Sequence, residues 1–159
     1  MPSGNGAPKH FLSWSNNLTW RNFDLSVFFR GTFGFDVFNM RKYGMGLQGC
    51  GTDNVLRSAY LEDKNIRTGG GVISSYFLED GSFIKLENVT LGYNFTPKNR
   101  KLLDNMRIYL SAKNLFTLTG YSGNDPSIID VNGIQPGVDS NSAYPTATQL
   151  SLGVTLRFK

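Results

Sequence analysis

The sequence is poor in the residues that carry chemistry. It holds one cysteine, Cys50, and one histidine, His10, in 159 residues. A single cysteine excludes a disulfide framework and any cysteine-based zinc site. A single histidine near the N-terminus leaves Ser-His-Asp and Cys-His arrangements only one candidate base. Charged residues are 18% of the chain, against 13% aromatics, which excludes a disordered tail. The composition does not fit a coiled coil, which is rich in Ala, Glu, Lys and Leu. No run of about five or more like charges occurs, so a nucleic-acid footprint is missing. The tightest basic group, Lys98, Arg100 and Lys101, reads as a solvated turn in a chain of net charge +4. No stretch approaches the ~18 consecutive apolar residues of a membrane-spanning helix. Met1–His10 lacks an apolar h-region, so no signal peptide is expected there.

What the sequence does have is alternation of period two. Leu150, Leu152, Val154, Leu156 and Phe158 alternate with Gln149, Ser151, Gly153, Thr155 and Arg157. A strand sends these two sets to opposite faces. Ile108, Leu110 and Ala112 alternate with Arg107, Tyr109, Ser111 and Lys113. Val89, Leu91, Tyr93 and Phe95 alternate with Asn88, Thr90, Gly92 and Asn94, whereas Ile84 and Leu86 just before them are out of phase. A bulge near Leu86–Asn88 repairs that phase. Phe23, Leu25, Val27 and Phe29 alternate with Asp24, Ser26, Phe28 and Arg30. The weakest segment holds Leu12, Trp14, Leu18 and Trp20, interrupted by Asn16. No Lys, Arg, Asp or Glu falls in the apolar rows. One face of the sheet therefore meets something apolar and the other is wet.

The reading is all-β, with strands at about 11–20, 22–33, 82–95, 106–118 and 146–158 and a leader over 1–10. Arg21-Asn22 makes a tight hairpin, and Thr96–Asn105 is a second short connection, with one helical turn expected over Lys98–Leu103. The loops 34–81 and 119–145 are long, so short and long connections alternate strictly. Loops of that length are unusual in compact soluble domains. They are normal in outer-membrane β-barrels, whose strands need only about 9–11 residues to cross the bilayer. With the C-terminus periplasmic, both long loops fall outside. Trp20, Phe23, Phe95 and Phe158 then lie at the periplasmic boundary as an aromatic girdle. Within the first long loop, Asp53 is placed to cap a short helix from Asn54 to Asp63.

Several stretches then become specific. Leu78-Glu79-Asp80-Gly81-Ser82-Phe83-Ile84-Lys85-Leu86-Glu87-Asn88-Val89-Thr90-Leu91-Gly92-Tyr93 resembles the end of SusC/RagA-type TonB-dependent outer-membrane transporters. Arg107-Ile108-Tyr109, Asn114-Leu115-Phe116-Thr117, Tyr121-Ser122-Gly123, Asp125-Pro126 and Tyr144-Pro145-Thr146 follow in the family's order. Gly4-Asn5-Gly6-Ala7-Pro8-Lys9, Phe23-Asp24-Leu25-Ser26 and Asn39 look like the same family slightly upstream. The resemblance implies a partial antiparallel transmembrane β-barrel, the last five strands of a barrel of about 22. It has no counterpart here for the family's plug or TonB-contacting segment. Five strands cannot close, so this chain alone is not expected to transport.

The resemblance also implies partners and roles. They are the rest of the barrel and its plug, outer-membrane lipid, a SusD-like surface lipoprotein, TonB acting through the absent plug, and an oligosaccharide or peptide substrate. Localisation would be the outer membrane of a Gram-negative, Bacteroidetes-type cell. Tyr121, Asp125 and Tyr144 are candidates to face substrate, since aromatic rings stack on sugar faces. Arg107, Lys113 and Arg157 are candidates to face the lumen and plug. Leu152, Val154, Leu156 and Phe158 look like the barrel-assembly signal, although Lys159 follows the usual terminal aromatic.

Competing motifs are weaker. Gly44-Met45-Gly46-Leu47-Gln48-Gly49 fits G-x-G-x-x-G but lacks the strand before it and the helix within it. Arg30–Phe38 looks like an RNA-recognition string broken by insertions at Thr32 and Asp36. Asp125, Asp130, Asn132 and Asp139 miss the EF-hand spacing for Ca²⁺ and read as turn residues. Glu79 and Asp80 diverge on an extended chain and read as a solvated loop end. No metal, cofactor or catalytic residue is assigned, and an enzyme is not expected. The alternative is a soluble β-sandwich carbohydrate-binding module, whose apolar rows would pack on a second sheet.

Overall fold

The structure is a computed structural model that describes residues 4–46, 54–61, 73–97, 103–129, 134–140 and 144–158. Its strands are β1 (His10–Trp20), β2 (Phe23–Phe33), β3 (Asp36–Asn39), β4 (Leu78–Asp80), β5 (Phe83–Phe95), β6 (Leu103–Thr119), β7 (Val138–Asp139) and β8 (Gln149–Phe158). Two short helices, α1 (Met40–Met45) and α2 (Ser58–Leu61), and 3-10 turns at Ser75–Phe77 and Pro126–Ile128 complete the described elements. None of the described helices is long and apolar enough to cross a membrane, which says nothing of strands. The chain divides into two compact units. A strand unit comprises Phe11–Gly31, Ile84–Leu118 and Thr146–Lys159, and a loop unit comprises Met1–His10, Thr32–Phe83 and Thr119–Pro145.

The strand unit carries a five-stranded sheet in the order β1-β2-β5-β6-β8. Each strand pairs with its predecessor once the loop strands β3, β4 and β7 are set aside, so the sheet is an antiparallel meander. The β6–β8 register puts like with like. Met106, Ile108, Leu110 and Ala112 stand opposite Leu156, Val154, Leu152 and Leu150. Arg107, Tyr109, Ser111 and Lys113 stand opposite Thr155, Gly153, Ser151 and Gln149. Directly opposed residues of an antiparallel pair share a face. The period-two pattern therefore yields one apolar and one polar surface.

The apolar surface is uncovered. Leu110 is 51% exposed and Leu152 75%, and Leu150, Val154, Leu156 and Phe158 are exposed as well. A β-sandwich would bury these rows under a second sheet. Apolar rows left open along whole strands match the lipid-facing band of a membrane barrel.

Among the described residues, two positions take left-handed backbone without being glycine. Arg21, in the β1–β2 turn, has φ 54°, and Asn114, within β6, has φ 53°. Asn114 is tied from both sides: its Nδ2 donates to Ala147 O at 3.2 Å, and its carbonyl accepts from Thr148 Oγ1 at 2.9 Å. Asparagine tolerates this region far better than arginine does.

The loop unit departs from the turn-rich series expected of loops. Pieces of both long connections form a second sheet, in the order β4-β3-β7. Asp36, Val37 and Phe38 pair antiparallel with Asp80, Glu79 and Leu78, while Phe38 and Asn39 pair parallel with Val138 and Asp139. Phe35, Val37, Phe83, Tyr121 and Ile129 form its apolar core. Gly81 lies against the Phe35 ring and Val37, where a Cβ would collide with both. The leader is built in: Asn5 O accepts from Asp36 N at 2.8 Å, and Lys9 N donates to Phe33 O at 3.0 Å.

The short helices also differ from the sequence reading. Helix α1 begins where Asn39 Oδ1 accepts from Lys42 N at 2.8 Å, an N-cap the sequence reading passed over. Of the helix expected over Asn54–Asp63, the described residues place Ser58–Leu61 in α2 and leave Asn54–Leu56 non-helical. Asp53, Glu62 and Asp63 lie outside the described residues. So does most of the turn expected over Lys98–Leu103, of which Leu103 belongs to strand β6.

Candidate functional site

On the polar face of the sheet, Arg107 of β6 reaches across β5 to Asp24 of β2. Its Nε donates to Asp24 Oδ1 at 3.1 Å and its Nη2 donates to Oδ2. The geometry is bidentate, which only arginine offers a carboxylate. Asn94 Nδ2 also donates to Asp24 Oδ1, at 2.7 Å. The Arg107 guanidinium lies 5.0 Å from the centre of the Tyr109 ring. Tyr109 in turn covers Gly153, where a Cβ would meet the ring.

The row continues along the strands. Thr90 and Ser111 share a hydroxyl contact at 3.2 Å, and Ser111 Oγ donates to Asn88 Oδ1 at 3.4 Å. Arg30 Nε donates to Glu87 Oε2 at 3.1 Å. Glu87 and Asn88 are neighbours in sequence yet both reach partners in the polar rows. Adjacent residues share a face only where the alternation breaks, so the phase change sits here. Among the lumen candidates, Arg107 is therefore engaged within the sheet. Lys113 stands opposite Gln149, and Arg157 opposite Asn105.

The loop unit contains a denser polar cluster around Glu79. Its carboxylate accepts from Ser122 N and Ser122 Oγ, both at 2.8 Å, and from Asn39 Nδ2 at 3.4 Å. Lys42 Nζ lies 3.3 Å from Glu79 Oε1 and 4.3 Å from the centre of the Tyr76 ring. Burial by itself would raise the Glu79 pKa. The bonds from Ser122 and the Lys42 charge outweigh it and hold the carboxyl below its ordinary value. Arg41 Nη1 donates to Asn124 Oδ1 at 2.9 Å beside this cluster.

Here the structure corrects the sequence reading. Glu79 is the hub that joins β4 to Ser122 and α1, not a solvated loop end. Tyr121 is 6% exposed and its hydroxyl donates to Asp139 Oδ2 at 2.6 Å. Burial, reinforced by Asp139, pushes its pKa well up. Asp125 is 8% exposed and caps the turn Pro126–Ile128 by accepting from Ser127 N at 2.9 Å. Both side chains help to order the loop. Tyr144, by contrast, is 88% exposed. Asp130 and Asn132 of the Ca²⁺ set lie outside the described residues, and among the described residues no cluster of His, Cys, Asp and Glu fits a metal. No local signal marks Glu79, whose partner Ser122 lies 43 residues away.

No protein-family model matches the chain. Curated relatives do. TonB-dependent receptor P3 of Formosa agariphila is 26% identical over 176 residues, covering 98% of this chain and 17% of that protein. TonB-dependent receptor SusC of Bacteroides thetaiotaomicron is 28% identical over 156 residues, covering 92% of this chain and 15% of SusC. The chain thus spans about a sixth of the length of the curated relatives it matches. Among solved structures, the RagAB peptide importer in its closed-closed state superimposes with a TM-score of 0.76 at 24% identity, over 95% of this chain and 17% of that one. The open-open state superimposes with a TM-score of 0.71. The chain is thus similar over nearly its whole length to part of a TonB-dependent receptor of the SusC type, and its fold is a piece of such a barrel.

Proposed function

We propose that this chain forms the last five strands and two external loops of an outer-membrane TonB-dependent importer. One observation carries the reading: the sheet has a continuous exposed apolar face opposite a continuous polar one. In a barrel wall the first meets hydrocarbon and the second lines the lumen. The short Arg21-Asn22 turn and the β5–β6 connection then face the periplasm, and the connections 34–81 and 119–145 are the extracellular loops.

On this reading no chemistry is done on the substrate, an oligosaccharide or a peptide. A SusD-like surface lipoprotein works with the loops in its capture, and TonB acts through a plug outside this chain. The likeness to the RagAB peptide importer favours a peptide. Of the substrate-facing candidates, the exposed Tyr144 retains that role, while Tyr121 and Asp125 support the loop that carries it. Lys113 and Arg157 remain the polar-face positions for plug contact, with Arg107 braced by Asp24. Leu152, Val154, Leu156 and Phe158 serve as the assembly signal on the terminal strand.

Fractionation of cells that make the protein tests the reading. The protein should partition with outer membranes and require detergent for extraction. Recovery as a soluble monomer without detergent overturns it.

A further inference from the structure

On the apolar face of the sheet, at its turn end, Leu18, Trp20, Phe23, Leu25 and Leu91 enclose a groove of about 280 Å³. Its wall is aromatic: Trp20 stacks on Phe23 at 6.5 Å, and Phe23 meets Tyr93 edge-on at 4.9 Å. A flat lipid-facing surface needs no such recess. The groove runs across three neighbouring strands, so it is a product of side-chain sizes in register and not of one residue.

Arg21 stands at its mouth. The guanidinium lies 5.5 Å from the centre of the Trp20 ring. No carboxylate among the described residues pairs with it. Its backbone is left-handed, a position where turn chemistry favours Gly, Asn or Asp. An arginine that is locally unfavourable for the backbone, unpaired and poised over an aromatic ring beside an apolar groove offers one cation to an anion tethered to hydrocarbon.

We propose that this groove holds one acyl chain of an anionic glycerophospholipid, with its phosphate on Arg21. The inference rests on the membrane reading above and adds to it a discrete lipid site, distinct from the general lipid contact of a barrel wall. An arginine and a phosphodiester form charge-assisted hydrogen bonds, and the Trp20 ring belongs at the level of the headgroups.

The test uses the protein extracted from outer membranes in mild detergent and titrated with phosphatidylglycerol, with bound lipid counted by native mass spectrometry. Wild-type protein should retain one phosphatidylglycerol in preference to uncharged diacylglycerol. Arg21→Asn, which also suits the left-handed turn, should lower that retention about tenfold. Leu25→Trp, which fills the groove without changing charge, should lower it as much, with Leu91→Phe as a second filling variant should the first fail to assemble. Leu150→Trp, on the same face but on β8, two strands away from Leu91, should leave it unchanged. Retention at the wild-type level in Arg21→Asn, or in an assembled filling variant, overturns the site while leaving the membrane reading intact. An equal loss in Leu150→Trp also overturns it, since the effect is then not local. A protein recovered soluble without detergent overturns the membrane reading, and the site with it.

Discussion

The guanidinium of Arg107 holds the carboxylate of Asp24 across an intervening strand, and it does so over Gly92. Strands β6 and β2 are separated by β5, so the two backbones lie about two strand spacings apart, roughly 9.6 Å. Any side chain on β5 at this level would stand between them. A Cβ built on Gly92 falls 2.5 Å from both Asp24 carboxylate oxygens and 2.7 Å from Arg107 Nη2. The glycine is needed for clearance, not for backbone conformation.

Replacing Gly92 by valine should therefore separate Arg107 from Asp24 and strain the sheet locally. The expected cost is about 1–3 kcal/mol, as for other overpacked sites. Urea unfolding of the detergent-solubilised protein measures it. Arg107→Gln in the Gly92→Val background should add little, because the contact is already gone. Additive losses would show that the glycine and the ion pair act separately.

Glu79 predicts a pH dependence of the loop unit. Its folded pKa lies below the ordinary value, so the folded state binds its proton less readily than the unfolded chain does. The stability it contributes is present above the ordinary carboxylate pKa and fades as pH falls through the folded one. The hydrogen-exchange protection factor of the Ser122 amide, which donates to Glu79, should fall on acidification in that window. Glu79→Gln should destabilise at neutral pH by about 1–3 kcal/mol and flatten this acid limb. An unchanged acid limb in the variant assigns the effect to another carboxylate.

The two faces of the sheet predict opposite tolerance to charge. Leu110→Arg or Val154→Arg places a cation in hydrocarbon and should cost about 2–4 kcal/mol near the midplane. Ser151→Arg, next to Leu152 on the same strand but on the polar face, should change stability by less than about 0.5 kcal/mol. Folded yield in outer membranes reads the contrast. Equal yields for all three reverse the face assignment.

The loop tyrosines separate support from capture. Tyr121→Phe removes the donor to Asp139 from a buried ring and should cost about 1–3 kcal/mol, lowering uptake only as far as it lowers folded protein. Tyr144→Ala should leave stability within about 0.5 kcal/mol and weaken the apparent affinity for substrate. Uptake by cells carrying each substitution within a complete importer, normalised to surface protein, distinguishes them. Undiminished affinity in Tyr144→Ala removes it from the substrate contacts.

The loop contacts of Tyr121 and Glu79 were not legible in the sequence because their partners are remote: Tyr121 bonds Asp139 across 18 positions, and Ser122 bonds Glu79 across 43. The pairing of Phe38 with Val138 is more remote still. Strands of two to four residues are too short to show a period. The α1 cap was locally readable, since Asn39 precedes the helix it starts, but without apolar periodicity in Met40–Met45 nothing drew attention to it.

The chain's own order of residues determined the faces of the large sheet, because a strand's side-chain period is two and a row such as Leu150 to Phe158 has only one way to keep its leucines together. The β6–β8 register follows from that, since a one-residue slip would set Leu156 or Val154 against Arg107. The tertiary structure alone decided the rest: that Glu79, Ser122 and Lys42 form one cluster, that Tyr121 turns inward, and that Gly92 is a gap for a salt bridge. Those are contacts between segments whose meeting depends on the whole loop closing, and closure leaves no periodic trace in the residues that make it.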